Sequence, residues 1–138
     1  MKVLVIDGQG GGLGRQLVSA VKEYDEDIEV MAVGTNSAAT NAMLKAGADQ
    51  AATGENSVVV ASARADVIMG PVGIVIADSM LGEITPRMAV AVGQSSAKRI
   101  LIPVNLCDNI VVGVSDVSMG KNVQNAIEAL ACFAREIR

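Results

Sequence analysis

The sequence predicts an α/β protein in which a doubly wound, mostly parallel sheet of about six strands has helices on both faces, a Rossmann-like fold. Short apolar runs alternate with amphipathic segments along nearly the whole chain, as expected for strand–helix–strand units with right-handed crossovers. Apolar residues make up 51% of the chain, yet it has only one Tyr, one Phe and no Trp. A core of Val, Ile, Leu, Met and Ala is typical of a buried parallel sheet. With 138 residues, we expect one domain over residues 1–138.

The first predicted unit is a strand over residues 2–7, a glycine-rich loop and a helix over residues 12–24. The strand is apolar from Val3 to Ile6, and four helix residues share one face: Leu13, Leu17, Val21 and Tyr24. Between strand and helix, glycine occupies five of the seven positions from Gly8 to Gly14.

The later elements alternate in the same way. Strands are predicted over residues 28–33, near 49–53, and over 65–69, 98–104 and 109–114. Helices are predicted from Thr35 or Asn36 to about Lys45, for about eight residues after Thr53, from Pro86 to about Ser95, and over 120–137. Thr35 or Asn36 can cap the second helix, and Thr85 precedes Pro86 as expected at a helix start. Residues 74–77 are too short for periodicity to separate strand from helix, and we expect a helix start there.

Polar and glycine-rich segments follow four of the predicted strands. The first contains Gly8, Gln9, Gly10, Gly11, Gly12, Leu13 and Gly14; the second Gly34, Thr35 and Asn36; the third Thr53, Gly54, Glu55 and Asn56; the fourth Gly70, Pro71 and Gly73. In doubly wound folds, ligands bind outside the carboxyl ends of the strands. These residues are therefore the predicted binding site.

The glycine-rich loop points to an anionic ligand. Glycine inside regular structure costs about 0.5–1 kcal/mol relative to alanine, so five glycines are better explained by positive φ angles or by close approach of a ligand. Backbone N–H groups at a helix start, together with the helix dipole, favour phosphate. We expect a nucleotide-like small molecule, NAD, NADP or another phosphorylated nucleotide, whose phosphate meets the N–H groups around Gly10 to Leu13. The alternative is that the glycines only tighten the turn.

Known glycine-loop templates fit incompletely. The GxGxxG fingerprint fails because Leu13 stands where the last glycine is needed, whereas the GxxxGxG spacing of short-chain dehydrogenases fits Gly8, Gly12 and Gly14. Their catalytic Tyr-x-x-x-Lys is missing, and no acid follows the second strand to bind a ribose. A deviant P-loop overlays the same glycines, but Arg15 and Gln16 replace the lysine and the magnesium-binding hydroxyl, which disfavours ATP hydrolysis.

Composition excludes several classes of protein. The net charge is −4 without a basic cluster, which disfavours nucleic-acid binding. We expect neither a signal peptide nor a membrane span, and hence a cytoplasmic protein. The two cysteines, Cys107 and Cys132, are expected to be reduced and buried. There is no histidine, so the commonest general base and metal ligand is missing, and no metal site is expected.

The chain resembles, nearly end to end, an uncharacterised bacterial family catalogued as a domain of unknown function, number 3842. Five segments support the resemblance: residues 6–12, 34–36, 52–56, 70–71 and 79–86. The family is Rossmann-like, so the resemblance implies the same fold, but it implies no particular activity.

Two other functions remain open. The chain can be a non-catalytic regulatory or scaffold module whose loops bind a protein. It can also be a small-molecule enzyme that uses Asp7, Glu55 or Glu83 as a base, in a site completed by oligomerisation. The alanine-rich second helix and the apolar surplus favour a homodimer.

Overall fold

The computed structural model describes residues 1–104 and 108–137. The strands are β1 (Lys2–Asp7), β2 (Glu29–Gly34), β3 (Gln50–Thr53), β4 (Val67–Pro71) and β5 (Lys98–Ile102). The helices are α1 (Gly12–Tyr24), α2 (Ser37–Lys45), α3 (Glu55–Ser62), α4 (Pro86–Gln94) and α5 (Met119–Glu136), and a short 3₁₀ turn covers Val72–Val75. The predicted α/β class is confirmed.

The five strands form one sheet in the order β3-β2-β1-β4-β5, and every neighbouring pair is parallel. The order reverses between β1 and β4, because the chain proceeds outward from β1 through β2 to β3 and then returns to the other side of β1. This reversal is the topological switch point where doubly wound folds bind ligands. The loops after β1 and β4 are therefore neighbours at the carboxyl edge of the sheet.

Alternating side chains of the strands supply two separate cores. Val3 and Val5 of β1 lie on the face covered by α1, α2 and α5, whereas Leu4 and Ile6 lie on the face covered by α3 and α4. All four side chains are fully or almost fully buried. A parallel strand buried on both faces has the continuous apolar sequence seen in β1.

Polar side chains begin three of the helices. The Oδ1 atom of Asn36 accepts a hydrogen bond from the Ala39 N–H at 2.9 Å, and Thr85 Oγ1 accepts from the Met88 N–H at 3.1 Å. Pro86 occupies the first position of α4, and Ser118 caps α5. The predicted caps Asn36 and Thr85 are confirmed, because these side chains satisfy N–H groups that lack a partner within the helix.

Two predicted elements are wrong. Residues 109–114 are not a strand, since they pair with none of the described strands, and Gly113 has a φ of +86° that breaks the extended run. Residues 74–77 do not begin an α-helix: the 3₁₀ turn ends at Val75, Ile76 is extended, and α4 begins only at Pro86. In both places the prediction rests on a short apolar run and its place in the alternation of strands and helices, neither of which reports backbone pairing.

Smaller expectations also change. Tyr24 is 42% exposed, unlike the buried Leu13, Leu17 and Val21 of the same helix. Cys132 is exposed rather than buried, and Cys107 lies outside the described residues. Within residues 1–104 and 108–137, no helix is long and apolar enough to cross a membrane.

Candidate site at the carboxyl edge of the sheet

The parallel register places three of the predicted polar segments side by side. Asp7, the last residue of β1, is opposite Gly34 of β2, and Gly34 is opposite Thr53 of β3. The Thr35 N–H donates to the Asp7 carbonyl at 3.1 Å, and the Gly54 N–H donates to the Gly34 carbonyl at 2.9 Å. These bonds extend the sheet ladder by one residue, so the loops after β1, β2 and β3 begin at one edge.

The Asp7 carboxylate closes the glycine-rich loop from inside. Its Oδ1 atom accepts from the Gly8 N–H at 2.8 Å and its Oδ2 atom from the Gly14 N–H at 2.7 Å. Burial raises the pKa of Asp7 above its ordinary value, although the two backbone hydrogen bonds lower it; the charge of Glu83 also raises it. Asp7 is only 4% exposed and both of its carboxylate oxygens accept N–H groups of the loop, so its carboxylate holds the loop, and the residue also lines a cavity beside the loop.

Three glycines of the loop are required by the surrounding protein. Gly11, the N-cap of α1, has a φ of +73°, and a Cβ there would lie 2.9 Å from the Ala39 backbone. A Cβ at Gly8 would lie 2.7 Å from Thr35 Oγ1, and one at Gly14 would lie 2.6 Å from the Met43 sulfur. Packing and backbone conformation therefore explain these three positions without a ligand.

The two remaining loop glycines have no such explanation. A Cβ at Gly10 or Gly12 would meet nothing within 4 Å, and neither residue has a positive φ. Both residues line a cavity of about 210 Å³, together with other loop residues, Val104 and Met119. At Gly10 and Gly12 the chain therefore has no side chain, although the surrounding protein would accommodate a Cβ at either position.

Three N–H groups of this loop have no acceptor among residues 1–104 and 108–137. The Gly8, Gln9, Gly11 and Gly14 N–H groups are bonded to Asp7 Oδ1, Glu83, the Gly8 carbonyl and Asp7 Oδ2, respectively. Those of Gly10, Gly12 and Leu13 donate to no described residue. Gly12 and Leu13 begin α1, a helix of 13 residues whose N-cap has no side chain to accept these hydrogens.

A carboxylate from a distant part of the sequence lies beside this loop. The Oε1 atom of Glu83 accepts hydrogen bonds from the Gln9 N–H at 2.9 Å, from Thr35 Oγ1 at 2.5 Å and from Asn36 Nδ2 at 2.7 Å. Asn36 Nδ2 also donates to the Gln9 carbonyl at 2.9 Å. Glu83 therefore joins the loop after β4 to the ends of β1 and β2.

The three donors keep Glu83 ionised. Desolvation, the largest single influence, raises the pKa of Glu83, but the hydrogen bonds from Thr35, Gln9 and Asn36 together outweigh it, and the pKa lies below its ordinary value. The second oxygen, Oε2, accepts from no described residue and is not among the buried unsatisfied atoms. It is an acceptor that is not fully buried.

The segment 76–84 folds into a tight loop that presents Glu83. Ser79 Oγ donates to the Gly73 carbonyl at 2.5 Å, and the Asp78 N–H donates to the Ile84 carbonyl at 2.7 Å. Asp78, Met80 and Leu81 all have positive φ. From the sequence, Glu83 is only a possible base, because nothing in these non-glycine residues signals the left-handed conformations that direct its carboxylate to the glycine loop.

The predicted residues after β3 lie elsewhere. Thr53 and Thr40 are hydrogen-bonded through their hydroxyl oxygens at 2.6 Å, and Gly54 caps α3 with a φ of +104°. Glu55 forms an ion pair with Arg87 at 3.5 Å. Asn56 lines a separate groove of about 330 Å³ over α3, β2 and β3. These contacts connect β3 to α2 and α3 to α4, and none of them reaches the glycine loop.

The predicted residues after β4 are mainly structural as well. A Cβ at Gly70 would clash with the Ile6 carbonyl oxygen, so glycine is needed for the close approach of β4 to β1. Pro71 ends β4, and Gly73 accepts the hydrogen bond that holds Ser79. No group of three or more carboxylates or cysteines that could hold a metal occurs in the described part of the chain.

Fold and site together define a doubly wound parallel α/β protein with a glycine-rich loop at its switch point. The chain belongs to the family described as Domain of unknown function (DUF3842), which matches residues 2–135. One similar solved structure is a dodecameric FMN-dependent Ubix-like decarboxylase from Escherichia coli O157:H7, at 19% identity and a TM-score of 0.46, covering 95% of this chain and 76% of that one. None of the curated proteins matches.

Proposed function

We propose that this protein binds the phosphate of a nucleotide or dinucleotide at the glycine-rich loop. The observation that supports the proposal most directly is a set of three N–H groups, at Gly10, Gly12 and Leu13, that have no acceptor in the described part of the chain and lie beside a cavity into which no side chain projects from Gly10 or Gly12. A phosphate oxygen approaching these N–H groups would leave no room for side chains at Gly10 and Gly12. The helix dipole of α1 favours an anion at the same point.

The magnitudes fit a ligand that binds in the micromolar range. A hydrogen bond to a charged group contributes roughly 1.5–3 kcal/mol, so three of them supply most of the roughly 8 kcal/mol that a micromolar dissociation constant requires. The cavity of about 210 Å³ is smaller than the roughly 300–1,000 Å³ of a typical small-molecule pocket. It would therefore hold the phosphate portion, with the nucleoside lying along the carboxyl edge of the sheet.

The charge distribution favours a phosphodiester or pyrophosphate over a terminal triphosphate. No lysine or arginine lines the cavity among the described residues, and Arg15 lines a different groove with Gln16 and Glu23. Backbone N–H groups and a helix dipole suffice for the pyrophosphate of a dinucleotide. A P-loop additionally uses a lysine and a magnesium-binding hydroxyl, for which this loop has no counterpart.

The test is ligand binding to Gly12→Val, measured by isothermal titration calorimetry with NAD, NADP, ADP and inorganic pyrophosphate. A Cβ at Gly12 meets nothing within 4 Å in the unliganded fold, whereas a valine side chain would occupy the phosphate position, so we expect the affinity to fall below detection while the melting temperature stays near that of the wild type. Gly93→Val is the matched control, because a Cβ at Gly93 of α4 also meets nothing within 4 Å, and it should bind normally.

Two results would contradict the proposal. One is wild-type protein that binds none of these ligands at millimolar concentration. The other is Gly12→Val protein that binds as tightly as the wild type. Gly10→Ala provides a milder second variant, since it adds one methyl group at the other unexplained glycine.

Self-association is a second proposal, favoured by exposed apolar side chains. Leu81, Ile110 and Val112 are 99%, 90% and 92% exposed in the single chain, and the run from Ile110 to Val114 contains no polar residue. We propose that a second copy of the chain covers this run. Light scattering should find a dimer or larger oligomer for the wild type and a monomer for Val112→Asp. A monomeric wild type would refute self-association.

A further inference from the structure

Dinucleotide-binding folds usually place an acid at the end of the second strand, where its carboxylate accepts hydrogen bonds from the adenosine ribose. In this chain β2 ends at Gly34 and is followed by Thr35 and Asn36. Both N–H bonds of the Asn36 amide are used, by the Gln9 carbonyl and by Glu83, and its Oδ1 caps α2. Asn36 therefore has no donor left for a ribose.

At the end of β2, the carboxylate is supplied by Glu83, which lies in the loop after β4. Its Oε1 atom lies 2.5 Å from Thr35 Oγ1, immediately after the last residue of β2, and 2.9 Å from the Gln9 nitrogen, next to Gly10. The carboxylate is thus adjacent both to the end of β2 and to the N–H groups that we propose for phosphate. It reaches this place because the loop after β4 folds back across the switch point.

The two carboxylate oxygens of Glu83 are used differently. Oε1 accepts the three hydrogen bonds that attach the Glu83 side chain to the described residues, whereas Oε2 accepts none from them and is not fully buried. A purely structural role is fulfilled by Oε1 alone. The remaining oxygen has a defined position, because three donors hold its partner atom.

We propose that Glu83 is the ribose-binding carboxylate of this site, with Oε2 accepting hydrogen bonds from the vicinal hydroxyls of a ribose whose 2′ position carries no phosphate. This inference rests on the proposed function, because it takes the phosphate to be at the glycine loop. Thr35 and Asn36 are positioning residues that hold the carboxylate without touching the ligand.

The proposal predicts the class of nucleotide. An ionised carboxylate accepts hydrogen bonds from hydroxyl groups but repels a 2′-phosphate, and folds that accept a 2′-phosphate do so with an arginine near this position. The side chains that contact Glu83 in the described structure are Thr35 and Asn36, neither of which is a cation. NAD-type ligands should therefore bind more tightly than their NADP-type counterparts.

The experiment compares two ligand pairs by calorimetry: NAD with NADP, and ADP with 2′,3′-dideoxy-ADP. For the wild type we expect at least about a tenfold preference for the first member of each pair. In Glu83→Gln both preferences should fall to less than about threefold, while inorganic pyrophosphate binds as in the wild type. Glu29→Gln is the matched control, because it removes the same charge at the opposite end of β2, and it should retain both preferences.

The possible failures are distinguishable. If the wild type binds pyrophosphate but prefers neither NAD nor ADP, or if Glu83→Gln retains both preferences, Glu83 only attaches the loop and the inference is wrong. If the wild type does not bind pyrophosphate or any nucleotide, the proposed function falls and the inference falls with it. The dideoxy comparison uses wild-type protein, so a poorly folding Glu83→Gln variant would not prevent a decision.

Discussion

The N–H of Gly14 donates a 2.7 Å hydrogen bond to Oδ2 of Asp7 across the whole glycine-rich loop. Gly14 lies seven positions after Asp7 in the sequence, yet the buried carboxylate joins the last residue of β1 to the first turn of α1. Its other oxygen accepts from the Gly8 N–H at 2.8 Å. Asp7 therefore occupies the Gly8 and Gly14 N–H groups, whereas those of Gly10, Gly12 and Leu13 have no acceptor among the described residues.

Asp7→Asn should destabilise the protein. An asparagine can accept only one of the two N–H groups through its oxygen, and its own N–H₂ would face the other, so a buried donor loses its partner. We expect the free energy of unfolding to fall by about 1–3 kcal/mol, measured by urea denaturation. Asp66→Asn is the control, because Asp66 accepts only an exposed N–H, that of Lys2, and it should cost less than about 1 kcal/mol.

Substituting alanine for glycine should lower the stability of the protein at Gly11, which the fold requires, but not at Gly10, which we propose for ligand binding. Gly11→Ala forces a Cβ against the Ala39 backbone at a φ of +73° and should cost at least about 1–3 kcal/mol of stability. Gly10→Ala meets open space and should change stability by less than about 1 kcal/mol. Chemical denaturation measures both, and equal losses would mean that Gly10 is also required by the fold.

Asp49 should stabilise the folded protein at neutral pH, and this contribution should be lost in acid when the carboxylate is protonated. The pKa of Asp49 lies below its ordinary value, first because the Val30 N–H donates to it at 2.8 Å and then because Lys22 lies 3.0 Å away. With a lowered folded-state pKa, the unfolded chain binds the proton more tightly, so this stabilisation is present above the ordinary pKa of an aspartate and is lost as pH falls through the lowered value.

Asp49→Asn should therefore reduce the urea midpoint at neutral pH, and the difference from the wild type should shrink at about pH 3. Asp7 acts in the opposite direction, because its pKa is raised: its folded state binds the proton more tightly, and its contribution decreases as pH rises through that raised value. A difference between Asp49→Asn and wild type that is independent of pH would contradict the assignment for Asp49.

Ser79→Ala should weaken the loop that presents Glu83. Ser79 is buried, and its hydroxyl donates to the Gly73 carbonyl at 2.5 Å. Loss of this hydrogen bond should lower the free energy of unfolding by about 1–3 kcal/mol. It should also reduce the preference for NAD over NADP, since Glu83 would be held less firmly. In Ser57→Ala, where a longer bond of 3.3 Å in α3 is lost, the preference should be unchanged.

Local sequence patterns predicted the elements that depend on local physics. The first strand and helix match Lys2–Asp7 and Gly12–Tyr24, because a buried apolar run, a glycine turn and an amphipathic period are all readable along the chain. The start of α4 follows from Thr85 and Pro86 in the same way. The expected strand over residues 109–114 failed because a strand requires a pairing partner, which composition does not report.

The candidate site was predictable only in part. The polar segments follow strands as expected, but the sequence could not separate Gly8, Gly11 and Gly14, which the fold requires, from Gly10 and Gly12, which it does not. It also assigned Thr35 and Asn36 to the ligand, whereas both side chains are bonded to Glu83. The position of Glu83 depends on left-handed residues, Met80 and Leu81, whose side chains do not favour that conformation.

By itself, the sequence determined the parallel α/β class and the glycine-rich loop between the first strand and helix, because hydrophobic periodicity and backbone freedom are properties of neighbouring residues. Only the tertiary structure decided that β4 lies beside β1, that Glu83 reaches Gln9, and that the N–H groups of Gly10, Gly12 and Leu13 find no acceptor in the part of the chain that is described. These features depend on contacts between residues as far as 74 positions apart, and such contacts are selected by packing the whole chain rather than by any local pattern.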